Sequence, residues 1–263
     1  MLRPTRARAL ILVYVAVTAG AVCAFGFSAP SLAVPSAVFL VLIADGVARP
    51  ASSLLYPTVS RGLREGGRVA LTFDDGPDPD VTPAVLDALA VDGARATFFC
   101  IGRSLAEHPA LARRLVAEGH ELGNHSWRHS RWQNFFGAGA LGREIERGAD
   151  AIAGLTGSRA EPFYRPPIGL KSPPLAWAAA RRRLTVVAWS LHSRDTRTAD
   201  PRRIAERVLA RIRPGDIVLL HDGHDRPGRH RPGSARALPE ILRGLRERDL
   251  HCVTVSELLA LPR

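Results

Sequence analysis

From about residue 69 onward, short apolar runs alternate with polar stretches in a regular way. Runs rich in Val, Leu, Phe and Thr predict strands at "VALTFDD" (69–75), "ATFFCIG" (96–102), "HELGNH" (120–125), "FYRPP" (163–167), "TVVAWS" (185–190), "DIVLLHD" (216–222) and "HCVTVS" (251–256). Between them, apolar residues at helical spacing predict helices from Thr82 to Asp92, up to Glu118, from Ala138 to Leu155, from Pro173 to Arg183, from Pro201 to Ile212 and over Ala235–Arg248. Apolar strands that each lead into a helix point to a parallel sheet covered by helices, open or closed into a barrel.

The N-terminal pattern is different. No charged residue occurs between Ala9 and Ala44, a stretch longer than the roughly 20 residues one membrane-crossing helix needs. "FSAPS" (27–31) interrupts it near the middle. Two readings fit: a hairpin of two short spans, or one anchor or signal segment followed by more apolar chain. Arg3, Arg6 and Arg8 precede the run, and Arg49, Arg61, Arg64 and Arg68 follow it. Two crossing helices would place both basic flanks on the cytoplasmic side. Asp45 interrupts the end of the second span, and small residues at Ser28-Ala29 also resemble a secretory signal or uncleaved anchor. Attachment to the cell membrane is expected, with the side left open. The expected organisation is an anchor over 1–47, a linker over 48–66 and a catalytic domain over 67–263.

A formal charge of +11 invites a nucleic-acid reading. The excess is almost all arginine, spread along the chain, with Lys171 the single lysine. No aromatic interleaving or helix-turn-helix pattern accompanies it, so no nucleic-acid partner is expected. The three cysteines form no CxxC: Cys23 lies in the hydrophobic run, and Cys100 and Cys252 lie in apolar, strand-like stretches where a buried free thiol is the ordinary outcome.

Candidate chemistry gathers where strands are predicted to end. Asp74-Asp75, His125, Arg165 and His221-Asp222 all fall at such ends, with Asp195 a few residues beyond one. In parallel α/β folds the carboxyl ends of the strands form the active face. "GNHSWRH" (123–129) puts His125 and His129 four apart, a spacing that brings two imidazoles to one face of a helical turn. A carboxylate from "DDGP" would complete a two-His, one-Asp metal set with open coordination positions. The second aspartate would then be a base, if the turn at Gly76-Pro77 swings both carboxylates to one side. His221 would be an acid, Arg165 a partner for the base carboxylate and Asp195 a partner for His221. Singly, each has an ordinary alternative: an Asp-rich turn, a surface arginine, a strand-end histidine.

Taken in order, "TFDDGP", "HSWRH", "RPPIG", "WSLHSRD" and "LLHDG" resemble the motifs of the NodB-homology polysaccharide deacetylases, carbohydrate esterase family 4, over about residues 67–259. The resemblance implies a distorted (β/α) barrel and metal-dependent hydrolysis of N-acetyl groups on amino sugars, with Zn2+ the usual ion and Co2+ or similar ions possible. Carried over position by position, it makes Asp74 the catalytic base and Asp75, His125 and His129 the metal ligands. Arg165 becomes the tether of the base, His221 the general acid, Asp195 its partner and Leu219 a wall for the acetyl methyl. A backbone amide near Asp78 would help hold the oxyanion.

Two positions depart from the family pattern. Thr196 stands where many members have Trp, and His192 where they often have Asp. The stretch "HDGHDRPGRH", with His224, Asp225 and His230, reads as a solvated loop, and Asp78 and Asp80 as turn and helix-start residues. The expected partner is an N-acetylated carbohydrate polymer, chitin- or peptidoglycan-like. A lipid-linked sugar or another non-peptide amide is the alternative, and a non-catalytic sugar-binding protein has no need of a base, an acid and their partners together.

Overall fold

A computed structural model describes residues 6–157, 163–224, 226 and 228–260; Arg3, Asp225 and Arg263 lie outside these. Two long helices come first, α1 (Arg6–Phe25) and α2 (Ala29–Ala48). Ser28 caps α2 through a reciprocal bond pattern with Ser31, so "FSAPS" makes the turn of a hairpin. Tyr14 stacks on Phe39 at 4.5 Å between the two helices. Most of their large apolar side chains, such as Leu12, Val15, Leu40 and Val41, face outward. Both helices are long and apolar enough to cross a membrane, and a signal sequence has the same character.

The rest of the chain winds around one sheet. Its elements are β1 (Thr58–Val59), β2 (Arg68–Asp74), α3 (Thr82–Val91), β3 (Thr97–Cys100), α4 (Gly102–Glu107), α5 (Pro109–Ala117), β4 (Glu121–Asn124) and α6 (Ala138–Thr156). Then follow β5 (Phe163–Tyr164), α7 (Pro173–Arg182), β6 (Thr185–Val187), β7 (Leu191–His192), α8 (Pro201–Leu209), β8 (Ile217–His221), α9 (Gly233–Arg246), β9 (His251–Cys252) and α10 (Val255–Leu259). The strand pairs are parallel, in the order β1-β6-β5-β4-β3-β2-β8-β7, with β9 beside the start of β2.

The sequence reads "TVVAWS" as one strand; the structure breaks it. β6 pairs with β5 and β1 at one end of the sheet, whereas β7 pairs with β8 at the other. The intervening residues, Ala188 to Ser190, therefore carry the chain across the gap between the two ends of the curled sheet. The distorted barrel is closed there by covalent continuity instead of a full ladder. The stretch 48–66 also does more than link. Leu55 is fully buried, β1 lies within the sheet, and Arg61 pairs with Asp216 at 2.9 Å.

Core packing explains the placement of the elements. Outside the curl, Val69, Leu71 and Phe73 of β2 pack with residues of α3, α5, α8 and α9, including Leu86, Leu115, Ile204 and Ile241. Inside it, Ala70, Phe99, Val187 and Ile217 meet Val255 and Leu258 of α10, which plugs the end where the strands start. The "TVSE" at 254–257 is a capping box: Thr254 and Glu257 bond each other's backbone N–H groups and end β9 early. With that end filled, the other rim is free for chemistry.

Candidate active site

Strand register brings the candidate residues level. Asp74 is the partner of both Phe99 and His221, Cys100 of Asn124, and Asn124 of Tyr164. Asp74, His125, Arg165 and His221 therefore leave neighbouring strands at one rim. Asp74, His125 and His221 line a cavity of about 290 Å³ together with Asp75, His129 and Leu219, and Arg165 reaches it only through Asp74.

The two adjacent carboxylates share this cavity because the chain leaves the extended conformation between them. Asp75 has φ 76°, a left-handed conformation that costs a non-glycine residue about 1–2 kcal/mol. Its carboxylate thereby joins that of Asp74 instead of pointing away, as it would in a continued strand. Gly76 is needed at the next position: a Cβ there would fall 2.2 Å from Asp222 Oδ2.

Asp74 is held by Arg165. The fully buried guanidinium lies 2.7 Å from Asp74 Oδ1 and also donates to Thr72 Oγ1 and to the carbonyl oxygens of Val187 and Ala188. It stacks on Phe99 at 3.9 Å. Four donor contacts and a ring face fix its position, which in turn fixes the carboxylate.

Asp75, His125 and His129 converge. His129 Nε2 lies 3.3 Å and His125 Nε2 3.6 Å from Asp75 Oδ1. That oxygen is buried and has no hydrogen-bond partner among the described residues. His125 Nδ1 sits 2.7 Å from the carbonyl oxygen of Arg165, which assigns the proton to Nδ1 and leaves the Nε2 lone pair facing Asp75. Burial, then the neighbouring His129, push the His125 imidazole down to about 3, so it is neutral at pH 7. The three potential ligand atoms lie within 4.8 Å of one another. Residues 125–129 form a loop, with Ser126 and His129 at positive φ, so the four-residue spacing brings the two imidazoles together without a helical turn. Asn124 accepts from the Ser126 N–H, and Ser126 Oγ from the His129 N–H.

Across the cavity, His221 Nδ1 lies 2.9 Å from Asp195 Oδ1, while Asp195 Oδ2 accepts from the His221 backbone N–H and from Ser234. Burial alone would push the imidazole down. The charge of Asp195 and its hydrogen bond, aided by Asp75 and Asp74, push it up to about 9. The reciprocal interaction holds the Asp195 carboxyl well below the usual range despite its burial.

Other positions were not singled out by sequence, or were read differently. Arg231 reaches into the cavity and pairs with Asp75 Oδ2 at 3.1 Å; Trp189, Ile168 and Arg131 complete the walls. No spacing signal marks Arg231 or Ser234, because they come from the start of α9 and the loop before it. His192 and Thr196 both line the cavity. The Asp78 N–H donates to Thr82 Oγ1 at 2.8 Å and is thus committed away from an oxyanion role. The Asp78 carboxylate is more than a turn former, since it holds His230 Nδ1 at 2.9 Å.

This fold and rim chemistry match known proteins. The polysaccharide deacetylase family profile matches residues 62–187. A chitooligosaccharide deacetylase of Bradyrhizobium sp. (strain ANU 289) is 42% identical over 163 residues, covering 62% of this chain and 74% of the relative. A peptidoglycan-N-acetylglucosamine deacetylase of Bacillus cereus is 37% identical over 197 residues, 73% of this chain and 87% of the relative. The crystal structure of a peptidoglycan N-acetylglucosamine deacetylase in complex with 4-naphthalen-1-yl-N-oxidanyl-benzamide superposes with a TM-score of 0.71 at 31% identity, covering 77% of this chain and 92% of that one. The chain belongs to the polysaccharide deacetylase family, the NodB-homology group that its five motifs resemble. It is a hydrolase of amide C–N bonds.

Proposed function

We propose that this protein is a membrane-attached, metal-dependent deacetylase that removes N-acetyl groups from amino sugars of the chitin or peptidoglycan kind. The observation that carries this reading is Asp75 Oδ1, buried and without a hydrogen-bond partner among the described residues, facing the Nε2 atoms of His125 and His129. A buried carboxylate oxygen left in this state is costly unless a cation completes it, and two imidazoles with one carboxylate suit zinc. A Zn2+ or similar divalent ion held by Asp75, His125 and His129 would supply Lewis acidity to an acetamide carbonyl and make water more acidic.

The other groups divide the proton transfers. Asp74, oriented by Arg165, takes the proton of the attacking water as oxygen adds to the acetamide carbon. His221, protonated at neutral pH, gives its proton to the nitrogen as the C–N bond breaks, releasing acetate and a free amine. Asp195 holds that imidazole in place and balances its charge. Leu219 offers an apolar wall to the acetyl methyl, and Thr196 leaves more room there than the tryptophan common in the family. Residues 1–47 act as a membrane anchor and the remainder as the catalytic unit. The test is acetate release from N-acetylchitotetraose by the purified full chain. Release is expected to fall to background after chelation and to return with zinc; release insensitive to chelation would rule the metal reading out.

A further inference from the structure

The hairpin is riveted to a wall of the catalytic cavity. Both of its ends meet the domain: Arg6 Nη1 donates to the Ser53 carbonyl, and Ala7 is buried with Leu55 and Ala176 against Leu10, Ile43 and Val47. Pro50 follows the end of α2 by two residues. A Cβ placed on Gly169 would lie 3.1 Å from Pro50 and 2.5 Å from Trp189, and both Gly169 and Trp189 line the cavity. Two residues further on, the buried Lys171 donates from Nζ to the carbonyl oxygens of Pro50 and Ser52, and its backbone N–H donates to the Val47 carbonyl. The segment 169–171 is thus cavity wall on one side and hairpin mount on the other.

A second observation concerns the rim. Trp132 and Phe135 are 71% and 82% exposed, with ring centroids 5.9 Å apart, immediately after Arg131 of the cavity lining. The adjacent Phe136 packs into the cluster that contains Tyr56, and Tyr56 also belongs to the cluster at the hairpin base. The exposed Trp132 is an amphipathic ring of the kind that sits at a membrane–water interface, and Phe135 extends the apolar surface beside it.

We propose that the site works at the bilayer surface on an N-acetylated amino sugar carried by a lipid anchor in the same membrane. This rests on the deacetylase reading above and specifies how its substrate is presented. With the cavity wall mounted at the exit of the hairpin, the bilayer limits approach from that side. A long detached polymer would have to avoid the membrane, whereas a sugar rooted in lipid arrives from it. Confinement to one surface also raises the local concentration of such a substrate without any added contact.

The test compares three substrates with the full chain reconstituted in phosphatidylglycerol–phosphatidylcholine vesicles with zinc. These are an N-acetylglucosaminyl lipid in the same vesicles, the same lipid in separate vesicles, and soluble N-acetylchitotetraose at the same bulk concentration. Acetate release from the same-vesicle lipid is expected to exceed both others by at least about tenfold. Equal rates on all three would overturn lipid presentation while leaving the deacetylase reading intact. Equal rates on the two lipid arms, both above the soluble sugar, would overturn surface confinement, since the lipid would then be recognised wherever it lies. No acetate from any arm would overturn the deacetylase reading itself.

Discussion

Asp74–Arg165 and Asp195–His221 are both buried carboxylate–cation pairs at one rim, yet they are built for opposite tasks. In the first, the cation is the scaffold: Arg165 is fully buried and bonded on several sides, and the carboxylate is the member that reaches the cavity. In the second, the carboxylate is the scaffold: Asp195 accepts from a backbone N–H and from Ser234, and the imidazole reaches the cavity. A pair of ions in a low-dielectric interior stabilises whichever charged form its fixed member complements. In the proposed mechanism one geometry thus serves as proton acceptor on one side of the cavity and proton donor on the other.

The asymmetry can be broken at each member. His221→Asn removes the donor and should lower acetate release from chitotetraose by about 10²–10⁴-fold. A substrate analogue with a good leaving group, which needs no protonation, should lose much less. Arg165→Met removes the scaffold of the other pair and leaves Asp74 buried without its ion partner. A loss of about 3–5 kcal/mol in stability is expected, read by denaturant unfolding, with activity falling alongside. Asp195→Asn spares the donor but removes the charge that raises it. In the proposed mechanism activity requires protonated His221 and is lost as pH rises through its pKa, so an imidazole raised to about 9 predicts a high alkaline limb. In the variant that limb should move down by about one pH unit or more.

Asp222 offers the smallest effect and a contrast with both pairs. It is buried, its Oδ1 has no hydrogen-bond partner among the described residues, and Thr82 Oγ1 bonds its other oxygen at 2.7 Å. Burial, then the charges of Asp75 and Asp78, push its carboxyl up to about 7. The folded state therefore holds a proton that the unfolded chain has released, so stability should fall as pH rises from about 4 to about 7 and level off above. Asp222→Asn should flatten that slope in a Tm-against-pH series and raise Tm at pH 8 by a few degrees. An unchanged slope would mean that Asp222 does not carry it.

The hairpin and the barrel also differ in how far sequence reveals them. Apolar strand runs and the residues at their ends foretold the parallel sheet and the rim, because register in a buried sheet leaves the pattern little freedom. The break at Ala188–Ser190 was hidden, since a strand that crosses from one edge of the sheet to the other is apolar throughout. The turn was expected at Gly76-Pro77, but the residue that turns left-handed is Asp75, a choice that the modest tolerance of aspartate for positive φ permits without announcing. Arg231 and Ser234 were equally illegible, for their roles depend on how α9 packs against α8 and α3 and on no local pattern. The hairpin was visible as an uncharged run, but its attachment to the cavity wall required Lys171 and Pro50 to be seen together. Reporters fused at the two ends of the chain should report the same compartment, because Ala7 at the start of the hairpin packs with Ala176 of the catalytic domain. Opposite compartments would exclude the hairpin.

The division of labour between the two adjacent aspartates is tested most directly by Asp74→Asn, with acetate release and zinc binding measured on the same preparation. Zinc should bind as in the parent, since Asp75, His125 and His129 remain, while acetate release falls by about 10²–10⁴-fold. Undiminished release with zinc bound would contradict the assignment of Asp74 as the base.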